Sequence, residues 1–65
     1  MSDFQVMDDG SIVILTPVSS EAIDFSKYAF GKETLMFGNG YCIEPRYLDD
    51  ILNDLDMRGF VFEYR

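Results

Sequence analysis

The chain reads as a small α+β domain of order ββαββαβ, a mixed or antiparallel sheet with both helices on one face. Three observations predict this two-layer arrangement. Apolar residues recur at a spacing of about two in several short runs and at about 3.6 in two longer ones. Glycine- and aspartate-containing turn signals separate the short runs. The two longer runs make helices of about three turns, and two such helices cover one face of a small sheet but not both. With 65 residues the natural division is one domain over 1–65.

Phe4–Met7 alternates and is expected as the first strand. Asp8-Asp9-Gly10-Ser11 follows as a hairpin turn, because Gly accepts positive φ and Asp tolerates it. The rival reading is a calcium loop, which needs further oxygen ligands at fixed spacing that this stretch lacks. Ile12–Leu15 is β-branched and has no polar face, so it belongs in the middle of the sheet with both faces covered. Thr16-Pro17 ends it, since Pro17 cannot donate to a ladder.

Ser19 or Ser20 caps the first helix, Ser20–Phe30, with Glu21 in its first turn. Ala22, Phe25 and Ala29 form its apolar stripe, with Ile23 and Phe30 at the margins. Asp24 and Lys27 pair at i, i+3 on the outside, and Gly31 stops the helix. Lys32-Glu33 is a polar connection to a strand at Thr34–Phe37. Gly38-Asn39-Gly40 is a tight turn, in which Asn-Gly suits type I′ geometry, and Tyr41–Glu44 is the next strand. The glycine pair lacks the longer spacing and the lysine of a phosphate-binding loop.

Pro45 sits at the first position of the second helix. Leu48, Ile51, Leu52 and Leu55 make one apolar stripe, Gly59 is the stop, and Arg58 offsets the dipole at that end. Phe60–Tyr64 closes the sheet, with Phe60, Phe62 and Tyr64 on one face.

Composition narrows the function classes. A chain of this size buries only about 60% of its unfolded surface, so its stability is marginal. Ten Phe and Tyr residues argue for folding nonetheless. Cys42 is the only cysteine, which excludes an internal disulfide. With no histidine, a Cys/His zinc site and His-dependent nucleophilic catalysis are excluded too. No metal and no cofactor are expected. Oligomerisation is then the remaining way to reinforce a small core.

The start, Met1-Ser2-Asp3, is acidic and carries no leader pattern, and no apolar run approaches the ~20 residues of a membrane span. The expectation is a soluble, cytoplasmic protein with Cys42 reduced. Twelve acids against five cations give a net charge of −7. That charge opposes direct binding to nucleic acid and to anionic membranes, and it suits a basic protein partner.

The acids concentrate on the second helix. Glu44, Asp49, Asp50, Asp54 and Asp56 stand against the single cation Arg46 between residues 44 and 56. As general acid/base candidates they fail, because they lie opposite the apolar stripe, away from any cleft. A divalent cation bridging Asp50 and Asp54 would find two or three oxygens where six or more are wanted. The chain is therefore expected not to be an enzyme. Residues at i, i+4 rise about 6 Å, close to the phosphate spacing of a strand, so these acids could present a nucleic-acid-like row to a basic protein. The plainer reading is a solvated outer face that keeps a hydrophobic protein soluble.

Arg46-Tyr47 has the residue types of an interaction hot spot, or Arg46 simply pairs with Glu44 or Asp50. The sheet face away from the helices is more apolar than a solvated face. Its candidates are Met7, Val13 or Ile14, Met36, Cys42 and Val61, which makes a homodimer interface over Val13, Met36, Cys42 and Val61 an expectation.

Ile14-Leu15-Thr16-Pro17, Ala22 and Phe25, Phe37-Gly38, and Ile43-Glu44 followed by Arg46-Tyr47, Ile51 and Gly59 form a recognisable series. It resembles small accessory proteins encoded by bacteriophages, prophages and plasmids. Those show Leu-Thr-Pro, a helix with Ala and Trp, Phe-Gly, and Val-Glu-x-Arg-Tyr before a second helix. The resemblance covers about residues 12–60. This chain departs from it with Phe25 in place of Trp and with Pro45 between Glu44 and Arg46. The resemblance implies a viral or mobile-element setting, no assigned reaction, and a host-interacting or counter-defence role in the host cytoplasm.

Overall fold

Asp8 shapes the first turn. Its carboxylate accepts the Gly10 N–H at 2.9 Å, and the Asp9 N–H reaches the Ile12 carbonyl at 2.9 Å, with Gly10 at a φ of 86°. The turn joins β1 (Phe4–Asp8) to β2 (Val13–Pro17) in an antiparallel pair, with Val6 opposite Leu15. The computed structural model describes residues 2–30 and 36–65, and for Phe37 the backbone alone. Its further elements are α1 (Ser20–Phe30), β3 (Met36–Phe37), β4 (Gly40–Ile43), α2 (Pro45–Met57) and β5 (Phe62–Tyr64). Gly31, the Lys32-Glu33 connection and the start of the Thr34–Phe37 strand lie outside the described residues.

The sheet order is β3-β4-β2-β1-β5, antiparallel except that β5 runs parallel to β1. The strand without a polar face, β2, is central as its composition requires. It runs further than expected, through Thr16 to Pro17, which lies opposite Phe4 at the strand's last position.

Period-2 alternation then sorts the side chains. Phe4, Val6, Val13, Leu15, Tyr41 and Ile43 point to one side and form a core with Ala22 of α1 and Leu52 and Leu55 of α2. Both helices therefore cover the same face. Val13 is 1% exposed within this core, so it cannot belong to an open-face interface. Its neighbour Ile14, on the other side of the pleat and opposite Met7 and Cys42, takes that place.

In α1, Ser19 Oγ accepts the Ala22 N–H at 3.1 Å, which settles the cap on Ser19. The buried positions are Ala22 and Ser26, with Phe25 and Phe30 packed beside them, whereas Ala29 is exposed. The helix thus presents two small side chains at i, i+4 to the sheet. The hydropathy pattern placed Ala29 on that stripe and passed over Ser26 because a hydroxyl counts as polar. Asp24 and Lys27 form no ion pair among the described residues.

The β3–β4 connection departs from type I′ geometry. Phe37 is opposite Gly40, so the loop is Gly38-Asn39; Gly38 has a φ of 61° and Asn39 is not positive, which is the II′ pattern. Gly40 is freed to enter the strand, where an added Cβ would lie 2.5 Å from Ile14 Cγ2 and 2.7 Å from Thr16 Oγ1.

The end of α2 is a Schellman motif. The Gly59 N–H bonds the Asp56 carbonyl at 3.0 Å and the Phe60 N–H bonds the Leu55 carbonyl at 3.0 Å, with Gly59 at a φ of 89°. Phe60 is thereby the residue after the cap and not the first of β5. Its ring meets Phe4 edge-on at 5.4 Å and Phe25 at 5.2 Å, closing the core between α1, α2 and β1.

A candidate interaction surface on the second helix

Glu44 is the N-cap residue of α2, with φ −69° and ψ 137°, and its side chain makes no cap bond. It was expected to end the preceding strand. Pro45 behind it starts the helix as predicted. Leu52 and Leu55 are buried, and Leu48 and Ile51 are packed against the core. This anchoring leaves Glu44, Asp49, Asp50, Asp54 and Asp56 all exposed.

These acids do not form one row. At about 100° per residue, Asp50 and Asp54 stack on one ridge and Asp49 and Asp56 on another about 130° away. Asn53 lies between Asp49 and Asp56 on the second ridge. Within each ridge the charges are about 6 to 10 Å apart along the axis. Glu44 is held by Arg46 at 2.7 Å and Asp54 by Arg58 at 3.0 Å. Asp49, Asp50 and Asp56 have no ion pair among the described residues.

The two arginines are double-tasked. Arg46 lies over the Tyr47 ring at 4.9 Å, and Arg58 over Phe25 at 4.9 Å. Arg46 pairs with Glu44 and not with Asp50. Arg58 ties the end of α2 to α1, so it serves the fold. Tyr47 is 51% exposed at the opposite end of the helix, beside Arg46, as an interaction residue requires.

Asp50 and Asp54 also stand at the rim of a cleft of about 260 Å³ between the helices, otherwise lined by Phe25, Ala29, Phe30, Ile51 and Leu55. The cleft adds no basic or nucleophilic side chain to these carboxylates. Among the described residues no group of three His, Cys, Asp or Glu side chains gathers as a metal site.

The other expected contact residues fall on different surfaces. Cys42 is half-buried on the open sheet face, and Val61 is 54% exposed just before β5; its neighbour Phe62 is opposite core-facing Phe4, so alternation puts Val61 on the open side too. Met36 is opposite Tyr41 in register and so sits on the helix-bearing side, at the sheet edge. The open face is therefore made by Met7, Ile14, Cys42 and Val61, flanked by Gln5, Thr16 and Glu63.

Asp3 is the residue that pattern reading passed over. Its carboxylate accepts the Val61 N–H at 2.8 Å, and its carbonyl accepts the Val18 N–H at 2.6 Å. It clips together the start of β1, the approach to α1 and the approach to β5. The Val61 N–H, and then the Ser19 hydroxyl, hold its carboxyl below the usual aspartate value.

No protein-family model matches the chain, and neither does any curated protein or solved structure. Among the described residues no helix is long and apolar enough to cross a membrane.

Proposed function

We propose that this chain is a small acidic, non-enzymatic interaction protein of a phage or mobile element, acting in the host cytoplasm on a basic host or phage protein. In that setting it serves as an inhibitor, competing with nucleic acid for the partner's basic surface. The observation that carries the reading is the outer face of α2, where Asp49, Asp50 and Asp56 are exposed and free of ion pairs among the described residues. Twelve acids against only five cations in the whole chain leave a net charge of −7. Arg46 and Tyr47 supply a stacked pair at one end for specificity.

The two-ridge arrangement favours a partner that wraps the helix over one that reads a straight phosphate row. Capture from host lysate at low and at high salt tests the reading. A partner held through α2 elutes as salt rises and is lost from Asp49/Asp50/Asp54→Asn. A partner retained by the triple variant contradicts it.

A second reading has its own observation. Met7, at 44% exposure, and Val61 lie with Ile14 and Cys42 on the uncovered sheet face. A structural or assembly role as a homo-oligomer through that face predicts salt-insensitive self-association, lost on Val61→Glu. Monomeric scattering at high micromolar concentration contradicts it.

A further inference from the structure

A groove of about 540 Å³ opens between the β2–α1 connection, the outer side of α1 and the β3–β4 edge. It is independent of the acidic face of α2. Three of the chain's exposed large apolar side chains converge on it: Val18 (49%), Ile23 (37%) and Met36 (55%). Pro17 and Tyr41 extend the apolar wall, and Thr16 and Asn39 add uncharged polar groups. Lys27 completes the lining, exposed and with no ion pair among the described residues.

Lys27 stands apart from the other described cations. Arg46 and Arg58 are each paired to a carboxylate, and Arg65 donates to Gln5 Oε1 at 3.2 Å. Lys27 instead lines a groove whose other residues are mostly apolar. Ligand sites are mostly apolar concavities of about 300–1,000 Å³ with a few polar groups that orient the ligand. The groove has that composition and size, with a single positive charge at its rim.

We infer that this groove binds a small apolar monocarboxylate, the hydrocarbon lying against Val18, Ile23 and Met36 and the carboxylate on Lys27. The net charge of −7 repels anions at long range. At physiological salt that repulsion is screened beyond about 8 Å, so contact chemistry decides. An exposed ion pair contributes about 0.5–1 kcal/mol, which is a two- to fivefold preference for the carboxylate over its neutral isostere.

The test is an amide-detected NMR titration of the whole chain with octanoate, and separately with octanamide. The expected result is that octanoate shifts the amides of Val18, Ile23, Lys27 and Met36 and binds two- to fivefold tighter than octanamide. Lys27→Gln, a surface change that spares the core, abolishes the preference. Met36→Gln weakens both ligands together. Shifts centred on the helix cleft or the open sheet face overturn the inference, as does a preference that survives Lys27→Gln or the absence of shifts at millimolar octanoate. An acetyl-Leu-Ile-Asp-Leu-amide peptide that displaces octanoate at lower concentration makes the groove a protein-docking surface and also overturns it.

Discussion

Gly40→Ala is a one-methyl change whose cost can be worked from the β2–β4 contact. The new Cβ would lie 2.5 Å from Ile14 Cγ2 and 2.7 Å from Thr16 Oγ1, with the Leu15 carbonyl at 3.5 Å. Both close neighbours are β-branched side chains on the central strand, stiff at χ1, so they yield only by leaving a rotamer or by moving the strands apart. Overpacking of this kind costs about 1–3 kcal/mol. Gly40 has no positive φ, so alanine also restricts the unfolded chain, which returns about 0.4–1 kcal/mol. The net expectation is a loss of about 1–2 kcal/mol, which in a domain this small lowers Tm by roughly 4–8 °C per kcal/mol.

Thermal and urea unfolding followed by circular dichroism measures it. A double-mutant cycle isolates the cause. In an Ile14→Ala background, where Cγ2 is gone, Gly40→Ala should cost at least about 0.5 kcal/mol less. Wild-type stability for Gly40→Ala, or additivity of the two changes, would refute the proposed contact.

Three further predictions follow from particular contacts. Ser26 is fully buried and its hydroxyl has no hydrogen-bond partner among the described residues, so Ser26→Ala should raise the urea midpoint, with a gain of about 0.5–2 kcal/mol; a lower midpoint contradicts that. Leu55 is 1% exposed and supplies both core volume and the carbonyl of the helix stop; Leu55→Ala should cost about 2–5 kcal/mol, seen as loss of most of the folded baseline at 37 °C. The Asp3 carboxyl is lowered from 3.8 by the Val61 N–H and the Ser19 hydroxyl. Its stabilising effect is therefore fully present above the unfolded value and disappears as pH falls through the folded one. The stability gap between wild type and Asp3→Asn should be widest near neutral pH and close below pH 3.8; a gap that widens in acid would contradict the assignment.

Most of the elements are legible from local signals, and few of the long-range contacts are. α2 was legible because Pro45, four spaced aliphatics and Gly59 agree with one another. The central place of β2 followed from its lack of a polar face. Which of Val13 and Ile14 faces the core did not, since a strand apolar on both sides carries no alternation to read. Ser26 was missed because its burial depends on how closely α1 approaches the sheet. Asp3 was missed because its partner is Val61, 58 residues away. The acids were all visible, but the splitting of Asp50/Asp54 from Asp49/Asp56 emerged only once the helix bounds were known. Met36 changed sides because the loop is the two residues Gly38-Asn39 and not the three residues Gly38-Asn39-Gly40; the shorter loop pairs Met36 with core-facing Tyr41 and not with Cys42.

The most direct test of the acidic α2 face is the salt dependence of affinity for the captured partner, compared between wild type and Asp49/Asp50/Asp54→Asn. Docking through these carboxylates predicts a steep fall in affinity with salt for wild type. It also predicts binding about 10- to 100-fold weaker for the triple variant at low salt, from three exposed charges at about 0.5–1 kcal/mol each. Equal affinities and parallel salt slopes for the two proteins would contradict it.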